Sequence, residues 1–265
     1  MATVMPARRI AGDDRFFLVS ALAMAALVVF GFSLQLGMGR SSFAAPVLVH
    51  VHAVVFMGWV AIYVAQTAFA ATGSIALHRR LGWLAVGWVV AMVVLGTAVT
   101  VAMARRGHIP FFFEPAYFLV MNPLSVITFA GLTFAAVVQR RRTAWHRRLH
   151  CCGMAFLIGP AWGRILPMPL LIPYAGWAVF AGVMLVPIAG MVADLRQRGS
   201  VHPAWWWGVG VMTASQLAMG LIAYSPAGLA IYHAATAGSP GAAIDPLAFP
   251  PPPAGPLITG RDTAI

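Results

Sequence analysis

The sequence predicts an all-α, polytopic transmembrane helix bundle of about seven spans, followed by a disordered Pro-rich C-terminal tail. Two observations carry this. Of the 265 residues, 61% are hydrophobic and 9% are charged, with a mean hydropathy of +0.85, whereas an ordinary soluble domain carries about a quarter charged residues. The 17 basic residues are all arginine and give a formal charge of +11, which in a soluble chain would suggest nucleic acid. Here they sit between apolar runs of about 20 residues, as charge does at the ends of membrane spans. The partner this implies is the lipid bilayer, and nucleic acid is excluded.

The apolar segments run over residues 16 to 37, 46 to 72, 76 to 104, 117 to 138, 144 to 166, 174 to 195 and 203 to 224. At about 1.5 Å per residue each covers a hydrocarbon core of about 30 Å as a helix, and the bilayer admits no unpaired backbone. Strands are not expected, because the alternating pattern of a membrane barrel is missing. The first segment carries Arg8 and Arg9 ahead of it, like a signal peptide. Its apolar run is longer than the roughly 7 to 15 residues of a cleaved signal, so it reads as an uncleaved anchor.

Arginine distribution gives the orientation. Twelve arginines fall at the N-terminus (Arg8, Arg9, Arg15) and in the second, fourth and sixth connections (Arg79, Arg80; Arg140 to Arg142, Arg147, Arg148; Arg196, Arg198). Four fall on the other side (Arg40, Arg105, Arg106, Arg261), and Arg164 lies inside a span. The positive-inside rule then places residues 1–15 in the cytoplasm, 16–224 in a plasma (bacterial-type inner) membrane, and 225–265 outside. Within that last part, residues 226 to 237 suit a short interfacial helix, and from Gly238 onward the Ser-Pro-Gly composition and Pro250 to Pro253 suit extended or disordered chain.

The eight histidines form two layers. His78, His146, His150 and His202 lie at the arginine-rich ends of spans, and His50, His52, His108 and His233 lie toward the other side. An ionisable group inside a span is a functional candidate. His78-Arg79-Arg80-Leu81 recurs 68 positions later as His146-Arg147-Arg148-Leu149. Ser74 and Thr143 precede the copies as N-caps, so each box opens a helix, and spans two-three and four-five read as a duplicated pair. A helix N-terminus with two arginines is a seat for an anion, either a lipid phosphate or a haem propionate. Equally, the arginines could serve positive-inside alone while the histidines snorkel.

On span two, His52, Tyr63 and Gln66 lie within about 60° of one another around the helix, with Phe56 and Trp59 near the same stripe. His50 is about 200° from His52, so the two do not share a ligand. Asn122, Ser125 and Thr133 form a polar line on span four, suited either to a cavity wall or to helix contact. On span five, His146, His150 and Met154 follow i, i+4, i+8 spacing beside Cys151 and Cys152. Imidazole with thioether suits copper or a haem iron. The six acids lie near interfaces or in tails, so a buried carboxylate for proton relay is not expected, and Walker, zincin and Gly-x-Ser-x-Gly motifs are missing.

His52, the run His78-Arg79-Arg80-Leu81-Gly82 and the later His146-Arg147-Arg148-Leu149 resemble uncharacterised bacterial multi-pass membrane proteins with His-Arg-x-Leu-Gly boxes. Those are similar to haem-copper oxidase assembly proteins and to cytochrome b561-like bundles. The resemblance covers roughly residues 47 to 160 and implies haem b held between histidines of neighbouring helices, beside the copper that the span-five residues suit. The cytochrome pattern of two histidine pairs at matching depths is absent, so one centre is implied. His78, His146 and His150 are then candidate ligands or propionate-side contacts, His52 would serve an outer site, Arg79, Arg80, Arg147 and Arg148 would neutralise anionic groups, and the set for a metal ion is His146, His150 and Met154. The function this implies is a redox-associated carrier or assembly factor with a respiratory complex as partner. A non-redox transporter or lipid-binding protein and a cofactor-free scaffold are the alternatives, and enzymatic activity stays open.

Overall fold

A computed structural model describes residues 12–253 and 255. The expectations for residues 1–11 and for the end of the tail lie outside the described residues. Six helices are long and apolar enough to cross a membrane, and the chain is an integral membrane protein: α1 (Gly12–Gly37), α2 (Val47–Thr72), α3 (Ile75–Arg106), α4 (Pro115–Val138), α7 (Ala175–Arg198) and α8 (Pro203–Ala223). The connections from α2 to α3 and from α7 to α8 are short turns. Gly73, at φ 81°, and Gly199, at φ 70°, close α2 and α7 in the left-handed region that glycine enters without steric cost.

The fifth apolar segment departs from the expected single span. It is divided into α5 (Thr143–Leu157) and α6 (Gly159–Ile165). Pro160 has no N–H to return to the Phe156 carbonyl, and the amides of Ala161 and Trp162 both turn to Ile158 O, at 2.9 and 3.4 Å. The i to i−4 ladder is therefore interrupted at Pro160 and Ala161 and resumes with Trp162. The two pieces together still run the length of α7. Arg148 meets Asp194 near one end, Gly159 faces Val179 and Val183, and Gly163 faces Val179 toward the other.

Helix α5 sits innermost, packed on α4, α7 and α8 and touching α1. Lipid tails are as apolar as leucine, so these contacts depend on close packing and polar pairing. Trp205 of α8 occupies the space over Gly190 of α7, and Cys152 of α5 that over Gly208 of α8, where a methyl group would collide. The close backbone neighbours of α2 are α1 and α3. The distance from α2 to α5 is bridged by large side chains, Trp59 and Tyr63 reaching the His150 ring.

The short helix expected after span seven is α9 (Pro226–Thr236). The chain beyond Gly238 is more ordered than its composition suggests. Pro240–Ala243 forms one 3-10 turn against α3, with Gly241 pressed onto the Ala104 carbonyl and its own carbonyl accepting from the Tyr232 hydroxyl at 2.9 Å. Ala116 N–H, in the first turn of α4, donates to Pro246 O at 2.9 Å. Backbone hydrogen bonds replace the apolar burial that the tail lacks.

Helix α8 starts at a histidine cap. His202 Nδ1 accepts from Ala204 N–H at 3.1 Å, so this ring is unprotonated at Nδ1. Burial first, and the Arg148 charge second, hold the His202 pKa below its ordinary 6.5. The unfolded chain therefore binds this proton more readily, and the cap's contribution is complete above the unfolded pKa and is lost as pH falls from there through the folded value. Replacing His202 by Asn keeps an acceptor that does not titrate. Thermal unfolding in detergent between about pH 7 and pH 5 is expected to show a decline in wild type that is smaller in His202→Asn, by about 1 kcal/mol, the worth of a cap. Equal declines would contradict this.

Candidate functional site

Three helical stripes of i, i+4, i+7 spacing meet toward the arginine-rich end. They are Trp59, Tyr63 and Gln66 on α2; Phe129, Thr133 and Ala136 on α4; and His146, His150 and Gly153 on α5. The indole of Trp59 is 5.1 Å from the Phe129 ring and 6.0 Å from the His150 ring between centroids, and Tyr63 is 5.4 Å from His150. A Cβ at Gly153 would stand 3.5 Å from Thr133 Oγ1 and 3.4 Å from Phe129 O. His78 enters from the start of α3, its ring 6.1 Å from that of His146, which is in turn 5.9 Å from His150. The three imidazoles thus form a line of steps rather than a closed ring. Among the described residues no group of three or more His, Cys, Asp or Glu side chains gathers tightly enough to hold a metal ion.

The two box histidines are anchored alike. Each is the fourth residue of its helix and turns back to a carbonyl of the helix before: His78 Nδ1 to Gln66 O at 3.2 Å, and His146 Nδ1 to Ala136 O at 2.8 Å. A carbonyl oxygen only accepts, so Nδ1 carries the hydrogen in both rings. In the neutral form Nε2 is then a bare lone pair, the state in which histidine ligates a metal. Around them, Trp59 Nε1, Gln66 Oε1, Thr133 Oγ1 and His150 Nδ1 are buried polar atoms with no hydrogen-bond partner in the protein.

The four box arginines part company. Arg79 and Arg80 are exposed at the start of α3. Arg147 and Arg148 are taken up by carboxylates instead. Arg147 pairs with Asp13 and Asp14 of α1, and Arg148, 0% exposed, holds Asp194 of α7 in a two-point contact, one arm of which is Nε to Oδ2 at 2.9 Å. Asp194 Oδ2 also accepts from His202 N–H and Trp205 Nε1, each at 3.1 Å, and Arg198 joins Asp13. The guanidinium of Arg148 lies 5.7 Å from the Phe17 ring and 5.9 Å from that of Trp205. Asp194 is therefore a buried carboxylate where the sequence suggested none, fully engaged by its donors. Its position in the last turns of a span concealed this, since its partner is 46 residues away.

The remaining candidates stand apart. His52 stacks on Phe56 at 4.1 Å, farther along α2 toward the other end, and its Nδ1 is buried without a partner. Met154 is wholly buried in the apolar core, and Cys151 and Cys152 are free, buried thiols. Arg164 stacks over Phe32 at 3.9 Å and donates to Pro160 O. Most of the polar line on α4 serves the helices: Asn122 and Ser125 return to carbonyls one turn back. The neighbouring Thr128 bonds Ser215 of α8 at 2.7 Å. Phe129 and Gly153 went unnoticed in the sequence; Gly153 lies one turn from His150 on the same face, which was the available signal.

Comparison of the chain with protein-family models, with curated proteins and with solved structures finds no match.

The Arg148–Asp194 pair makes a testable demand. Removing one partner leaves a buried charge, which costs about 3 to 5 kcal/mol. Arg148→Ala and Asp194→Asn are each expected to lower the unfolding midpoint in detergent strongly, while the joint change Arg148→Met with Asp194→Leu loses less than the two single losses added together. Additive losses would show that the two side chains are not coupled.

Proposed function

We propose that this integral membrane protein is redox-associated and holds one transition-metal centre, a haem b or a copper ion, at the imidazoles of His78 and His146, one helical turn from His150. The observation that supports this reading is the convergence of His78 and His146 from two different helices, each fixed through Nδ1 so that Nε2 is the free nitrogen. Imidazole is a ligand common to copper and haem iron, and either group would supply one-electron chemistry when bound. The protein's part is to fix the tautomer through Gln66 O and Ala136 O, to flank the site with Trp59, Tyr63 and Phe129, and to keep it within the membrane domain. By the arginine asymmetry this end faces the cytoplasm. A carrier of electrons between membrane partners, or a factor that delivers the centre to a respiratory complex, would both use such a site. His52 would serve a separate position nearer the outer leaflet.

Purification in mild detergent after haem-replete and copper-replete expression, followed by an absorption spectrum and elemental analysis, tests the reading. About one equivalent of haem, seen as a Soret band, or of copper is expected per chain, falling at least tenfold in His146→Ala with the fold retained. Protein that carries neither group would overturn it.

A further inference from the structure

The same site carries a narrower inference, resting on the reading of the imidazoles as metal ligands. In their neutral form the two rings, each donating through Nδ1 to a carbonyl, leave Nε2 bare, and their centroids stand 6.1 Å apart with the ring planes at 89°. An ion about 2.0 to 2.1 Å from each nitrogen would leave ring centroids about 6 Å apart when the two bonds are close to collinear. The spacing therefore matches two-coordinate binding of one ion between His78 and His146.

Charge restricts which ion. No carboxylate joins the two rings: among the described residues no Asp or Glu gathers with them into a metal-binding group. The acids nearest along this end of the bundle, Asp13, Asp14 and Asp194, are bound to Arg147, Arg148 and Arg198. Arg79 and Arg80 follow His78 in sequence and add positive charge at the start of the same helix. The cost of moving an ion out of water grows with the square of its charge, so a divalent ion with two neutral ligands is penalised about four times as heavily as a monovalent one. Of the first-row ions that imidazole suits, copper is the one with a stable monovalent state of low coordination number.

Packing and charge also disfavour a macrocycle here. Trp59 and Tyr63, both buried, fill the space against His150, and Phe129 packs on Trp59. The arginines of the second box, which would have faced propionates, are paired with aspartates. His150, with its Nδ1 not anchored to a carbonyl, lies one turn deeper and is not needed as a ligand.

We propose that the protein binds a single copper(I) ion between Nε2 of His78 and Nε2 of His146. The full chain, purified in detergent and kept anaerobic, is titrated with copper(I) in competition with a chromophoric chelator, and the bound ion is examined by X-ray absorption. One copper(I) per chain with two nitrogen ligands is expected. Affinity should fall at least a hundredfold in His78→Ala and in His146→Ala and change less than threefold in His150→Leu, and zinc(II) at equal concentration should not displace the ion. The absorption spectrum reads the wild-type protein, so the proposal stays testable if either alanine variant fails to fold. Sulfur ligands, three or more nitrogens, or loss of copper in His150→Leu would overturn it. A Soret band with no copper would overturn this inference while leaving the metal-centre reading intact, and protein that takes up neither group would end both.

Discussion

The buried ion pair between Arg148 and Asp194 is the constraint from which the rest of the bundle follows. Helix α5 carries Arg147, Arg148, His146 and His150 within a few residues, a sequence that lipid would not accept on its surface. It is tolerated because α1, α4, α7 and α8 enclose it and Asp194 neutralises its most deeply buried charge. Residues two apart on a helix point about 200° apart. Holding Arg148 against α7 and α8 therefore turns His146 and His150 to the opposite side, toward α2 and α3. The site faces inward because the arginine faces the other way.

The repeated His-Arg-Arg-Leu box does different work in its two places. In both copies the histidine reaches back over a short turn to the preceding helix, and that shared habit brings the two rings together. The arginines diverge because the helices do. The box at the start of α3 leaves Arg79 and Arg80 in the open, whereas α5 runs through the middle of the bundle, where each arginine meets an acid. A repeated motif thus yields a symmetric pair of imidazoles inside an asymmetric field of charge.

Much of this was legible in the chain. Length and hydropathy marked seven apolar segments, six of which are single long helices, and the 100° rule put Tyr63 and Gln66 on one face of α2 with Trp59 close by. The break after Leu157 was not legible, because proline alone does not decide it: Pro123 and Pro187 lie inside unbroken α4 and α7. The ordered stretch after Gly238 was hidden by its Gly-Pro composition, since its hold comes from single backbone bonds to Tyr232 and Ala116. Pairings over long separations, such as Arg147 with Asp13 and Arg148 with Asp194, leave no local pattern to read. The spacing of His146 and His150 was visible, but the meeting of His146 with His78 required the packing of α2 to α5.

The account stands on the tautomers of His78 and His146, because the proposed metal site needs a bare Nε2 on both rings. Solid-state nitrogen NMR of histidine-labelled protein in bilayers, with single His→Gln variants to assign the signals, reads them directly. Both rings are expected to be neutral, protonated at Nδ1 and unprotonated at Nε2. Protonation at Nε2 in either ring, or imidazolium at both near neutral pH, would contradict the account.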